Sequence, residues 1–272
     1  MDELDIKSPA NPSLKFAAKL HKRRERDRHG LTIVEGLTEI ATALSASLRF
    51  REGYYCPDII STSGQEMLLD RLKKSCSVRS VSRKGFEKIT YRSGTGGIAA
   101  VAEKPSASLA ELPEVANPLY LVAGSIEKPG NLGAMLRSVD GAGGTGMIVS
   151  DRRTDLYNPN VIRASLGTVF SVPTAAASGE QTIEFLKKRG IKIIITSPDS
   201  DLSYTDSDLA GPAAAVIGSE SRGLPAFWFD SADAAVKIPM LGTADSLNAS
   251  VSAALLLYEA VRQRGKHEQK TG

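Results

Sequence analysis

Apolar residues along this chain occur in short runs separated by polar, glycine- or proline-bearing stretches, and the runs follow two periods. LTIVEG (Leu31 to Gly36) reads as a strand running into a helix near Leu37 to Leu48. Tyr54 to Ile60, Ser77 to Ser82 and Gly97 to Glu103 are further short strands, separated by helical patterns at Gln65 to Lys74 and Arg83 to Ile89. Beyond residue 118 the alternation is clearer. Strands are expected at Leu119 to Ala123, Met147 to Ser150, Phe170 to Pro173, Ile191 to Thr196, Ala213 to Ile217 and Val236 to Met240. Between them come a helix from Asn131 to Ala142 with Asn131 as its cap, another beginning at Asn158-Pro159, and one from Gln181 to Arg189 closed by Gly190. The last helix spans Leu247 to Arg264, where Leu247, Val251, Ala254, Leu255 and Tyr258 recur at helical spacing and read as a core stripe. Strands alternating with helices predict a mainly parallel sheet covered on both faces, with ligands taken up where strands end.

Two α/β domains are therefore expected, residues 1–106 and 118–272. The stretch KPSASLAELPEVANP supplies the linker, placed at 107–117. The 272 residues are 42% hydrophobic, enough for real cores, and the net charge of +3 alone names no partner. Its placement says more. Lys15, Lys19, Lys22, Arg23, Arg24, Arg26 and Arg28 crowd the first helical stretch against only Glu25 and Asp27. By itself this is a solvated face; beside a domain acting on RNA, phosphate contact becomes the better reading.

Several chemistries are excluded. Cys56 and Cys76 make neither a disulfide framework nor a zinc site, and read as reduced thiols of a cytoplasmic protein. The start, MDELDIKSP, lacks the apolar stretch of a signal peptide, and no apolar run approaches the ~18 residues a membrane span needs. His21, His29 and His267 lie near the termini, so a histidine triad or metal cluster in the second half is absent. GAGGTG (Gly141 to Gly146) matches a dinucleotide fingerprint, but a helix leads into it and a strand leads out, the reverse of the required order. These glycines end a helix, and an oxidoreductase is disfavoured.

Three segments carry candidate chemistry. In KPGNLGAMLRS (Lys128 to Ser138), Gly133 and Arg137 share a helix face four residues apart, leaving room beside the guanidinium. In IGSESRGL (Ile217 to Leu224), a strand ends on Gly218, and Glu220 follows before Gly223. In IPMLGTADSLN (Ile238 to Asn248), a strand gives way to a loop, and Ser246 is placed to cap the last helix. Taken singly, each is a cap, a turn or an ordinary core helix.

Together, in this order, they resemble the three motifs of the SpoU-type (TrmH-like) RNA 2′-O-ribose methyltransferases of the SPOUT superfamily. Members commonly carry Asn where this chain has Ser219 and Gly where it has Ser221; Gly218, Glu220 and Gly223 are kept. The opening NPSLK, the basic helix and IVEG resemble the L30e-like RNA substrate-binding domain that often precedes such catalytic domains. The resemblance implies a knotted parallel-sheet domain, S-adenosyl-L-methionine as cofactor, no metal, and a homodimer in which two subunits complete the RNA site. It implies catalytic roles for Asn131, Arg137, Glu220, Ser246 and Asn248, and cofactor contacts from Gly218, Ile238, Met240 and Leu247. Arg163, in VIRASLGTVFSVP, joins Lys22, Arg23, Arg24 and Arg26 as an RNA-contact candidate.

The expected function is 2′-O-methylation of a ribose in RNA. The whole accessory domain and the closing LYEAVRQRG favour 23S rRNA over tRNA. A catalytically silent RNA-binding protein is the alternative from another class. Arg137 is expected to lie against the ribose and stabilise the developing alkoxide, because a guanidinium keeps its proton under ordinary conditions and makes a poor base. Asn131 and Glu220 are expected to orient it.

Overall fold

A computed structural model describes residues 4–91, 94–151 and 154–271, with side chains described to residue 265 in the last helix. Two compact units emerge. The first comprises residues 1–105 together with 155–171; the second comprises 106–154 and 172–272. A single cut at the linker therefore differs from what the chain does, because the segment Asp155–Ser171 leaves the second half to pack with the first unit.

In the first unit, the basic stretch forms two helices, α1 (Pro12–Lys19) and α2 (Arg23–His29). Asn11 caps α1 and Pro12 opens it, as expected of an Asn-Pro pair. Then follow β1 (Leu31–Glu35), α3 (Leu37–Ser45), β2 (Phe50–Tyr55), α4 (Ser63–Ser75), β3 (Ser77–Ser80), α5 (Arg83–Ile89) and β4 (Ile98–Glu103). The sheet order is β1-β4-β2-β3, with β4 antiparallel to both neighbours and β2 parallel to β3. The second strand lies four residues earlier than the pattern suggested at its start, because apolar Ile59 and Ile60 belong to the turn that follows. Leu14, Leu20, Ile33, Tyr54, Val81, Phe86, Ile89 and Val101 form its core.

The second unit begins with β5 (Leu119–Gly124), α6 (Pro129–Gly141) and β6 (Gly146–Ser150). After α7 (Pro159–Ala164), which belongs to the first unit, come β7 (Thr174–Ala177), α8 (Gly179–Lys188), β8 (Lys192–Thr196), β9 (Ala213–Ile217), α9 (Ala226–Ser231), β10 (Ala234–Val236) and α10 (Ala249–Thr271). All five strand pairings are parallel, in the order β10-β8-β9-β5-β6-β7. Tyr120, Val122, Ile148, Ile193, Ile195, Val216 and Trp228 build the core on one face. On the other, α6 and α10 pack together and against β5 and β9.

Four sequence expectations shift. Pro129 takes the first helical position of α6, so Lys128, not Asn131, stands at its cap and Asn131 lies within the first turn. Phe170 ends a 3₁₀ turn (168–170), and the strand starts only after Pro173, whose ring supplies no ladder donor. The last strand stops at Val236, and Ile238-Pro239-Met240 is loop, again at a proline. Asn248 rather than Ser246 caps α10: its Oδ1 accepts from Ser250 N at 2.9 Å.

Arg26 is the clearest reversal. Expected to touch RNA, it is 1% exposed within the first unit. Its Nε and Nη2 donate to Asp155 Oδ2 at 2.9 and 2.6 Å, and Nη1 donates to the carbonyls of Leu20 and His21 at 2.7 and 2.8 Å. Asp155 Oδ1 accepts from Tyr157 N at 3.1 Å. A buried pair this well satisfied is a strut, and removing one partner strands the other charge. Asp155→Ala should therefore destabilise the protein by about 3–5 kcal/mol, whereas the apolar pair Arg26→Met with Asp155→Leu should cost far less. Urea unfolding followed by circular dichroism distinguishes these outcomes.

Candidate active site

In the parallel sheet, β6 and β7 extend to one side of β5, while β9, β8 and β10 extend to the other. Between β5 and β9 the direction of winding reverses, and crevices open beyond the carboxyl ends of strands at such points. The three chemistry-bearing segments converge there. The loop after β5 leads into α6, the turn 219–223 follows β9, and residues 237–248 join β10 to α10.

A cavity of about 640 Å³ lies at this place, within the ~300–1,000 Å³ range of small-molecule sites. Gly218, Ile238, Met240 and Leu247, the four expected cofactor contacts, all line it, together with Ile217 and Ser246. Gly218 has a steric reason to be glycine: an added Cβ would stand 2.6 Å from the backbone carbon of Gly223. That closeness comes from a closed turn. Ser219 N donates to Gly223 O at 3.2 Å, Gly223 N returns to Ser219 O at 2.9 Å, and Gly223 adopts φ +63°. The walls thus combine backbone groups and apolar side chains with polar ones, Lys237, Asp245 and Ser246 among them, a lining suited to a flat heteroaromatic ring and a charged amino-acid chain. S-adenosylmethionine fits that donor set.

A second cleft of about 230 Å³ adjoins the cavity, sharing Ser219 and Glu220 and lined also by Lys128, Asn131 and Ser221. Here three of the expected catalytic residues meet. Glu220 Oε1 accepts from Asn131 Nδ2 at 2.6 Å and from Asn248 Nδ2 at 2.9 Å, while Asn248 Nδ2 also reaches Asn131 Oδ1 at 3.1 Å. Glu220 Oε2 accepts from Lys128 Nζ at 2.5 Å. The Lys128 ammonium holds the Glu220 carboxyl below the ordinary carboxylate range; burial opposes this, and the Asn131 amide adds to it. Thr154 steadies the approach to α6, its hydroxyl lying 3.0 and 2.7 Å from the carbonyls of Ile126 and Glu127.

Lys128 escaped the sequence reading. Its only signal was its place beside Pro129 at a helix start, where a lysine is usually solvated. Arg137 departs from expectation in the other direction. It is exposed, makes no hydrogen bond or ion pair among the described residues, and lines neither cleft. Among the described residues Glu220 and Asn131 bond to each other, to Lys128 and to Asn248, and neither contacts Arg137. Ser246 lines the cavity without a hydrogen bond among the described residues. Lys22, Arg23, Arg24 and Arg163 are exposed, with Arg23 3.4 Å from Asp27 and Arg24 3.5 Å from Glu25.

Known proteins share this architecture. The family profile of the SpoU rRNA methylases matches residues 118–258, and that of the MRM3-like substrate binding domain matches residues 11–100. A Bacillus subtilis 23S rRNA (guanosine(2553)-2′-O)-methyltransferase, RlmP, is 27% identical, over 93% of this chain and 97% of its own. A crystal structure of an RNA 2′-O ribose methyltransferase superposes with a TM-score of 0.85 at 39% identity, covering 95% of this chain and 98% of that one. The SpoU methyltransferase AviRb from Streptomyces viridochromogenes, solved in complex with AdoMet, gives 0.86 at 28% identity over 93% and 98%. With more than half its length matched by the family and the site segments inside the match, the chain belongs to the SpoU rRNA methylase family and is an S-adenosylmethionine-dependent RNA methyltransferase.

Proposed function

We propose that this enzyme methylates a ribose 2′-hydroxyl in 23S rRNA, and that the reaction takes place over the polar cleft beside the 640 Å³ cavity. The observation that carries this reading is the convergence of Asn131 and Asn248 on the Glu220 carboxylate at the mouth of a cofactor-sized cavity. A whole substrate-binding unit ahead of the catalytic one supports a large structured RNA over tRNA. The basic side chains left exposed, Lys22, Arg23, Arg24 and Arg163, are its proposed phosphate contacts, and Arg26 is withdrawn from that set. Cytoplasmic action agrees with the two free cysteines.

S-adenosylmethionine, when bound, supplies an electrophilic sulfonium methyl, and the protein's share is placement. Gly218, Ile238, Met240 and Leu247 would hold it by backbone groups and apolar contact. Asn131 and Asn248, locked by Glu220, would fix the edge of the cleft where the ribose sits, with Ser246 beside them. Ionised Glu220 is acceptor-only, which fixes the direction of both amides. Arg137 would stabilise the alkoxide as the 2′-hydroxyl proton leaves to phosphate or water.

Arg137 reaches the reaction, in this proposal, from a second copy of the chain. Val251 and Tyr258 on α10 are 45% and 52% exposed, an apolar face without cover. Tyr258 Oη lies 2.9 Å from where a Cβ on Gly141 would stand, and Gly141 is one turn beyond Arg137 on α6. The exposed face and a guanidinium with no partner among the described residues are thus neighbours, and a homodimer would bury both. The trefoil knot of such domains belongs to the same reading.

Incubating the protein with labelled S-adenosylmethionine and deproteinised bacterial 23S rRNA should give label in alkali-resistant dinucleotides, since a 2′-O-methyl group removes the nucleophile of alkaline cleavage. Label confined to bases would overturn the assignment. Arg137→Ala should abolish turnover while leaving calorimetric cofactor affinity nearly unchanged. Co-expressed with Gly218→Val, each inactive alone, it should regain activity through mixed dimers; a mixture as inactive as its parts would place Arg137 in its own subunit's site.

The Glu220 shift also fixes a sign. A lowered native pKa means that the clamp is intact above the ordinary carboxylate value and is lost only as pH falls through the depressed one. Turnover should therefore show no acid limb from Glu220 above about pH 4.3. A pH–rate profile with a limb above that value in the natural enzyme, absent from Glu220→Gln, would contradict the clamp.

A further inference from the structure

Lys128 stands at the cap position of α6, with no side-chain capping bond of its own. Its side chain is 70% exposed, yet its ammonium meets Glu220 Oε2 at 2.5 Å. An exposed ion pair is ordinarily worth little. This one differs in what the carboxylate does with its other oxygen. Glu220 Oε1 is the shared acceptor for Asn131, in the first turn of α6, and Asn248, the cap of α10. A glutamate side chain has three rotatable bonds, and two amide donors on one oxygen leave the other free to swing. An ammonium on the second oxygen removes that freedom.

Both ends of this arrangement are anchored. Asn248 is held by Ser250, whose backbone N and hydroxyl lie 2.9 and 2.6 Å from Asn248 Oδ1, leaving its amide nitrogen to face Glu220. Lys128 is held by Pro129, which fixes the entry to α6, and by the grip of Thr154 on the two preceding carbonyls. Charge adds a second reason. A cleft that receives a polyanion is poorly served by a bare carboxylate, and Lys128 neutralises it at its own mouth.

We propose that Lys128 is a positioning residue for methyl transfer, its ammonium fixing Glu220 so that Glu220 sets the orientation of the Asn131 and Asn248 amides. The proposal rests on the methyltransferase reading above. It differs from a phosphate tether, in which lysine would grip the RNA directly and Glu220 would be incidental.

The test uses the full chain, with Lys128→Met, Lys128→Arg, Glu220→Ala and the double variant Lys128→Met/Glu220→Ala. Lys128→Met should lower kcat about tenfold or more while changing KM for 23S rRNA and Kd for S-adenosylmethionine by less than about threefold. Lys128→Arg should recover most of the rate. The double variant should be no slower than Glu220→Ala alone, since both substitutions break one unit. A loss confined to KM, or losses that multiply, would overturn the proposal in favour of the tether. A second readout needs no RNA: the side-chain amide resonances of Asn131 and Asn248 should move in Lys128→Met and return in Lys128→Arg. Resonances that stay in place would reject the positioning role. Amide shifts in Lys128→Met together with no methyl transfer to ribose by the natural enzyme would reject the proposed function, leaving only the fixing of Glu220 by Lys128.

Discussion

One carboxylate ties the catalytic unit's separate segments into a site. Glu220 follows β9, Lys128 and Asn131 open α6, and Asn248 opens α10, so a single side chain joins residues as far apart in sequence as 128 and 248. Each of these elements begins or ends at the same edge of a parallel sheet, where backbone groups lack ladder partners. The sheet brings the segments near, and the carboxylate gives them one geometry. Gly218 makes this possible. Only without a Cβ can the chain fold back on Gly223 and deliver Glu220 directly beyond the strand.

Much of this was legible because it depends on local rules. Ala213–Ile217 and Arg83–Ile89 have the predicted bounds, and Asn158-Pro159 opens a helix as such pairs do. The glycines at 141–146 end one element and begin another, as their order implied. Boundaries failed where proline decided them: Pro129 moved the start of α6, Pro173 delayed β7, and Pro239 falls in the loop that follows β10. The same displacement changed the meaning of Asn131. Relieved of the cap, its amide was free to join Glu220, a role that spacing cannot reveal.

Arginines were harder to read, since a guanidinium is equally at home on the surface and in a satisfied interior. Arg26 sits in a run of basic residues and looks like its neighbours, but it alone finds a carboxylate 129 positions away in Asp155. That partner lies in the segment 155–171, which sequence order assigns to the other unit. Nothing local distinguishes Arg26 from Arg24. Only the tertiary path of the chain does, and that path also explains why the division into units is not one cut.

The stripe on the last helix shows the converse problem. Leu247, Val251, Ala254, Leu255 and Tyr258 follow helical spacing, and periodicity marks them as a core stripe, which the structure contradicts at Val251 and Tyr258. In the single chain the covered residues are instead Ala253, Leu256, Leu257 and Ala260, one step round the helix, while Val251 and Tyr258 stay open. Periodicity records that a face is apolar, not what covers it. A helix with two apolar faces can meet its own sheet with one and another body with the other. In the proposed dimer, the copy covering this face, which adjoins Gly141 one turn beyond Arg137 on α6, would also set where that guanidinium is placed. Assembly and catalysis would then be set by the same surface, which is a physical reason for the pattern to be so apolar on both sides.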